Sequence, residues 1–251
     1  MTGSDAQPLA GQTVLITGGA RRLGAAMAQG LHAAGANVVI HHRSSTNEAA
    51  SLLATLNARR AHSATAVQAD LLDDGQLPSL VAAAIRDFGR LDILINNASS
   101  FYATPVGGIG AREFDDLIGT NFRAPLFLSQ AAAPELRRRG GLILNLCDIH
   151  GMRPLKQYPV YSCAKAALIM LTKALARELA PEVRVNGIAP GPVLWPADVD
   201  AGMQEDIIGK TLLKRSGGPQ DIAQAALYFA SMAPYVTGQI LAVDGGRSQG
   251  G

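Results

Sequence analysis

Short runs rich in Val, Ile and Leu alternate with longer Ala- and Leu-rich stretches of helical periodicity from end to end of the 251-residue chain. This alternation limits the fold class most. Strands separated by helix-length segments pair in parallel, and a parallel sheet must be covered on both faces. The pattern predicts strands over Thr13–Thr17, Asn37–His41, Ala64–Gln68, Ile93–Asn96, Leu142–Cys147, Arg184–Ile188 and Ile240–Val243. It predicts helices over Arg22–Ala34, Thr46–Ala58, Leu77–Phe88, Ala111–Arg138, Tyr158–Leu179 and Gln220–Ala230. In the first helix Leu23, Met27 and Leu31 recur at four-residue steps, an apolar stripe for the sheet. The expected architecture is a single α/β domain over residues 10–251, a doubly wound parallel sheet of about seven strands.

Residues 1–9 read as a flexible leader, with neither the basic nor the apolar region of a secretory signal. Pro and Gly collect from Ala189 to Pro196, and 192–218 is the one long connection, of the kind that forms lids. The formal charge is only +2 and no basic block accumulates, which argues against a nucleic-acid partner. The densest cluster, Arg137-Arg138-Arg139, reads as a cationic helix end. No apolar run has the length of a membrane span, so a cytoplasmic protein is expected. Cys147 and Cys163 lack CxxC spacing and read as small buried hydrophobes rather than a disulfide or zinc pair. His41 and His42, neighbours on a strand, point to opposite faces, and no metal site is expected.

The first strand runs into Thr17-Gly18-Gly19-Ala20-Arg21-Arg22-Leu23-Gly24, after which the first helix begins. A glycine-rich turn at a helix N-terminus lets backbone amides approach a pyrophosphate. A dinucleotide site that holds free ribose hydroxyls carries an acid about 20 residues further on. Here the second strand ends instead in His42-Arg43-Ser44. A guanidinium and a hydroxyl suit an added 2′-phosphate, so the turn points to NADP(H) rather than NAD(H). Tyr161 and Lys165, four apart on a predicted helix, share a face. Bringing a phenol toward neutrality takes about 3 pKa units, or ~4 kcal/mol. An ammonium ~4 Å away at an effective dielectric of ~20 supplies about that much.

TGGARRLG, Asn96-Asn97-Ala98, Asn121, Tyr161-x-x-x-Lys165, Pro190-Gly191 and Val243-Asp244-Gly245-Gly246 occur in the order and near the spacing of the short-chain dehydrogenase/reductase family, which the chain resembles over nearly its whole length. The resemblance implies a Rossmann-type fold and an NADP-dependent oxidoreductase. It makes Tyr161 the proton donor, Lys165 the group that lowers its pKa and holds the nicotinamide ribose, and Asn121 an organiser of a water relay. Gly18, Arg22, Leu23, Gly24, His42, Arg43, Ser44, Asp70, Leu71, Asn97, Ala98, Pro190 and Gly191 would bind the cofactor, with Asp70 by the adenine. Members are usually tetramers built on two long helices, here the predicted Ala111–Arg138 and Tyr158–Leu179.

Two departures narrow the resemblance. Arg22 stands where the family's turn has its middle glycine, and Asp148 replaces the serine expected thirteen residues before the tyrosine. Both changes resemble the pteridine reductases, as do Asn96-Asn97-Ala98-Ser99-Ser100-Phe101-Tyr102, Leu56-Asn57-Ala58-Arg59-Arg60 and His42-Arg43-Ser44. That likeness implies reduction of dihydropterins, and of folate or dihydrofolate, with Phe101 stacking on the pterin. Arg22, Ser99, Asp148 and Tyr161 would join Phe101 at the substrate, and Trp195 would either line the pocket from the lid or stand as an exposed lid residue or an oligomer contact. An ionised Asp148 beside Tyr161 opposes the lysine, so the acid either carries a proton or relays one. A carbonyl reductase of the same family, acting on ketones or quinones, and a nonenzymatic NADP-binding protein are the alternatives.

Overall fold

The computed structural model describes residues 7–195 and 199–250. The strands β1 (Thr13–Ile16), β2 (Asn37–His42), β3 (Ala64–Gln68), β4 (Ile93–Asn96), β5 (Leu142–Leu146), β6 (Arg184–Pro190) and β7 (Ile240–Val243) form one sheet, ordered β3-β2-β1-β4-β5-β6-β7. Every pairing is parallel. The helices are α1 (Arg22–Ala33), α2 (Thr46–Arg59), α3 (Leu77–Phe88), α4 (Ala111–Ile118), α5 (Ala124–Arg139), α6 (Pro159–Glu178), α7 (Ala201–Gly209) and α8 (Pro219–Ser231).

The period-2 alternation of the strands divides the apolar core between the two faces. Val14, Ile16, Val38, Ile40, Ile93 and Ile95 pack with Met27 and Leu31 of α1, Leu52 of α2, and Ile222 and Phe229 of α8. Their strand neighbours Leu15, Val39, Leu94 and Ile143 pack on the other face with Leu80 of α3, Leu128 and Leu136 of α5, and Ala176 of α6. Because the sheet is covered on both sides, its central strands are buried at every position and largely apolar. The strand order reverses between β1 and β4. At such a point the loops leaving the strand C-termini diverge and open a crevice, and the candidate site lies there.

The structure departs from the sequence expectations in a few places. The long helix expected over Ala111–Arg138 is interrupted by a π-turn over Gly119–Arg123, so it becomes α4 and α5. Periodicity does not reveal one extra residue in a turn. Helix α7, absent from the sequence reading, occupies part of 192–218; it buries no residue and so carries no apolar stripe to detect. Its start is nonetheless encoded, since the Asp200 side chain accepts from Met203 N at 2.8 Å. Cys163 is exposed, not buried, whereas Cys147 is buried as expected. Of the expected leader, residues 1–6 lie outside the description, while Leu9 is fully buried and its N–H donates to Ala34 O at 2.9 Å. No described helix is long and apolar enough to cross a membrane.

Candidate active site

A cavity of about 1050 Å³ runs along the carboxyl ends of the strands, from the glycine-rich turn to α7. At one end Gly18, Arg22, Leu23, Gly24, His42, Arg43, Ser44, Asp70 and Leu71 line it. Gly18 and Arg22 are both left-handed, with φ of +58° and +52°. The family's usual glycine at position 22 therefore has a conformational reason, and an arginine there bears backbone strain. Gly24 cannot carry a side chain, because a Cβ would stand 2.3 Å from Gly18 O and 2.8 Å from Asn97 Nδ2. Asn97 closes this corner: its Nδ2 donates to Thr17 O at 2.8 Å and Gly18 O at 3.1 Å. Thr17 Oγ1 accepts from the backbone N–H groups of Asn97 and Ala98, at 2.9 and 3.0 Å.

Arg22 and Arg43 line this cavity, and neither makes an ion pair among the described residues. Arg21, by contrast, pairs with Glu48 at 3.4 Å. Two uncommitted arginines, a backbone turn closed to side chains and no acid at the end of β2 fit a phosphate-rich dinucleotide. Asp70 keeps its backbone fixed instead, with Oδ1 accepting from Leu72 N at 3.0 Å and its own N–H donating to Gln76 Oε1 at 3.0 Å.

Beyond the turn, the cavity wall passes to Asn97, Ala98, Ser99, Phe101, Asp148, Tyr161, Lys165, Pro190 and Gly191. The Tyr161 hydroxyl donates to Asp148 Oδ2 at 2.6 Å, and Asp148 Oδ1 accepts from His150 N at 2.8 Å. The second bond caps the short 3₁₀ turn Ile149–Gly151 and thereby fixes the carboxylate. Lys165 Nζ donates to Leu146 O at 2.8 Å and lies 5.7 Å from the centre of the Tyr161 ring. Burial, and after it the Asp148 carboxylate and its hydrogen bond, push the Tyr161 phenol well above its ordinary value; the Ser99 hydroxyl acts in the opposite sense. Burial pulls the Lys165 ammonium down, against the attraction of Asp148 and Cys147.

Lys165 is expected to draw the phenol toward neutrality, yet the direct contact of the hydroxyl is with Asp148. The lysine lies on the same helical face as Tyr161, but its ammonium is held by a strand carbonyl while the carboxylate makes the direct contact. Asn121 is also placed differently from a cavity wall. It is fully buried in the π-turn, where Nδ2 donates to Ser100 O and Leu117 O at 2.9 Å each, and Oδ1 accepts from Ser99 Oγ at 2.7 Å. It meets the cavity wall through Ser99 and Ser100, both of which line it.

Phe101 is 41% exposed, and one face of its ring stacks on Tyr158 with centroids 4.7 Å apart, leaving a single face for a ligand. Its edge contact with Tyr161 is at 4.8 Å. Trp195, Val199, Met203 and Ile207 complete the wall on the side of 192–218. Sequence reasoning missed Tyr158, Arg247 and His41. The first two line the cavity, and nothing in their local pattern signals it. His41 is 1% exposed; its Nδ1 accepts from Gly18 N at 3.2 Å and its Nε2 donates to Ala69 O at 3.1 Å. Burial lowers its pKa from 6.5 to about 4, so the ring is neutral and ties the glycine turn to the end of β3.

Comparisons with known proteins bear on this geometry. The profile of a family described as "Enoyl-(Acyl carrier protein) reductase" matches residues 18–248. Pteridine reductase 1 of Leishmania tarentolae is 39% identical, the match covering 99% of this chain and 99% of that protein. The 3beta-hydroxysteroid dehydrogenase 1 of Eggerthella lenta is 36% identical over 96% of this chain and 95% of its own. A crystal structure of a blue fluorescent protein from a metagenomic library, in complex with NADPH, superposes with a TM-score of 0.89 at 33% identity, covering 96% of this chain and 99% of that one. Matches of this extent, over a site where a tyrosine and a lysine sit one helical turn apart beside a glycine-rich turn, make the chain an oxidoreductase of the short-chain dehydrogenase/reductase family.

Proposed function

We propose that the protein is an NADPH-dependent pteridine reductase, reducing dihydropterins to tetrahydropterins and acting on folate or dihydrofolate. The observation that carries this reading is the 2.6 Å hydrogen bond between Tyr161 and Asp148. An acid where the wider family has a serine suits reduction of a C=N bond, which needs a hydride on carbon and a proton on nitrogen. The 39% identity to a pteridine reductase over 99% of the chain supports it.

NADPH, when bound, supplies the hydride. Arg22, Arg43 and the Gly18–Gly24 turn hold its phosphates, and His42 and Ser44 stand beside Arg43 for the 2′-phosphate. Tyr161 keeps its proton at neutral pH, because burial and the carboxylate hold the phenol high. It would give that proton to the substrate nitrogen, and a proton taken up from solvent by the Asp148 carboxylate would pass to the tyrosine in its place. Lys165 offsets the negative charge that this leaves on the buried pair. The free face of Phe101 takes the flat pterin, and Ser99 and Arg22 its polar edge.

A homotetramer is part of this proposal. It is supported by apolar side chains left exposed on the long helices, Phe114 on α4, Phe127 on α5 and Met170 on α6. The testing experiment is steady-state NADPH oxidation with dihydrobiopterin, dihydrofolate and a panel of ketones and quinones. Turnover of the pterins at a kcat/KM far above that of any carbonyl substrate is expected. Turnover of ketones alone would replace this reading with that of a carbonyl reductase.

A further inference from the structure

We propose that Arg247 is a specificity residue that binds a carboxylate at the far end of the substrate, so that the enzyme favours pterins with an acidic tail over those with a short neutral side chain. The inference rests on the pteridine reading and adds a subsite to it. Arg247 is half-buried, lines the same cavity as Asp148 and Tyr161, and its guanidinium makes no hydrogen bond or ion pair among the described residues.

The backbone around it is fixed. Asp244 Oδ1 and Oδ2 accept from Gly246 N and Ser248 N at 2.9 and 2.7 Å, and Arg247 N donates to Asp244 O at 3.1 Å. These bonds occupy the Asp244 carboxylate, the nearest acid in sequence. Arg153 Nη1 donates to Gly250 O at 2.6 Å, which ties the turn to the loop that follows Asp148. Leu213 N donates to Gly245 O at 3.0 Å and ties it to the segment after α7. These ties hold the Arg247 turn against the segments that follow Asp148 and α7.

Leu155, Trp195, Met203 and Ile207 line the same cavity. A cavity that offers both apolar wall residues and an unpaired guanidinium matches a flat aromatic linker ending in a carboxylate, as in a pterin joined to p-aminobenzoylglutamate. A short hydroxylated side chain gives the guanidinium no charged partner. A planar donor fork on a fixed turn discriminates such ligands by charge as well as length.

The test compares wild type with Arg247→Ala, Arg247→Glu and Arg247→Lys on dihydrofolate and dihydrobiopterin. In Arg247→Ala the ratio of kcat/KM for dihydrofolate to that for dihydrobiopterin should fall about tenfold or more, chiefly through the dihydrofolate KM. Arg247→Glu should lower it further, and Arg247→Lys should restore part of it. An unchanged ratio, whether both activities persist or both collapse, would overturn the proposal. Quenching of Trp195, the single tryptophan, reads binding of each ligand without turnover. Arg247-dependent dihydrofolate binding without reduction would retain the subsite and sink the pteridine reductase reading. Reduction of both pterins with an Arg247-independent ratio would do the reverse.

Discussion

The Tyr161 hydroxyl and the Asp148 carboxylate meet at 2.6 Å across the junction of β5 and α6. The family resemblance assigns the tyrosine's electrostatics to Lys165, yet the carboxylate is the direct partner, and it acts in the opposite direction. The phenol carries its proton at neutral pH, and the carboxylate beside it is placed to replace that proton once it is given up. This suits a reaction that delivers a proton to nitrogen.

The neutral His41 ring should make the fold acid-sensitive. Its folded pKa of about 4 lies below its ordinary 6.5, so the unfolded chain binds the proton first. Stability from this group is complete above about pH 6.5 and is lost as pH falls toward 4, by about 3 kcal/mol in all. In His41→Phe the urea midpoint should fall at pH 7, because Gly18 N and Ala69 O lose their partner at a cost of about 1–3 kcal/mol. The drop in stability between pH 6.5 and 4 should shrink. Urea titrations across that range check both effects, and equilibrium titration should show weaker NADPH binding.

Arg22 should trade stability for cofactor affinity. At φ +52° a side chain is strained, by roughly 1–2 kcal/mol. Arg22→Gly should therefore leave the fold as stable or more so, by up to about 1 kcal/mol once glycine's freedom in the unfolded chain is deducted. The same variant should raise the KM for NADPH, since one uncommitted guanidinium leaves the phosphate end. Thermal melts and steady-state kinetics on one preparation test the opposite signs.

Gly24→Ala should fail at the same turn for a steric reason. Its Cβ would meet Gly18 O at 2.3 Å and the Gly19 Cα at 2.9 Å, backbone atoms that cannot step aside without moving the turn. A loss of about 1–3 kcal/mol in stability and of measurable NADPH binding is expected. Gly209→Ala is the control, since nothing lies near its added methyl group.

Most of the fold is legible in the sequence because a sheet buried on both faces writes itself as apolar runs. Each of the strands appears within two residues of its expected ends, and the helices that bury a stripe against the sheet are all anticipated. What escaped is what periodicity does not record. The π-turn that buries Asn121 adds one residue to a helical turn, and α7 has no buried face. In the site, the glycine turn, Asp148, Tyr161 and Lys165 were readable from spacing and family likeness. His41 and Arg247 were not, because their roles come from contacts between distant segments. His41 reaches Gly18 across 23 residues, and the Arg247 turn is tied to Arg153 across 97. The direction of the Tyr161 shift was also unreadable, since it depends on burial and on which neighbour touches the hydroxyl.

In the proposed reaction Asp148 equips the family tyrosine to protonate a pterin nitrogen. The most direct measurement is dihydrobiopterin reduction by Asp148→Ser, with NADPH affinity measured by titration on the same sample. In that variant kcat should fall by roughly 10²–10⁴, the range for loss of a positioned acid–base group, while NADPH affinity stays as in wild type. Full pterin turnover by Asp148→Ser, with the cofactor bound normally, would contradict it.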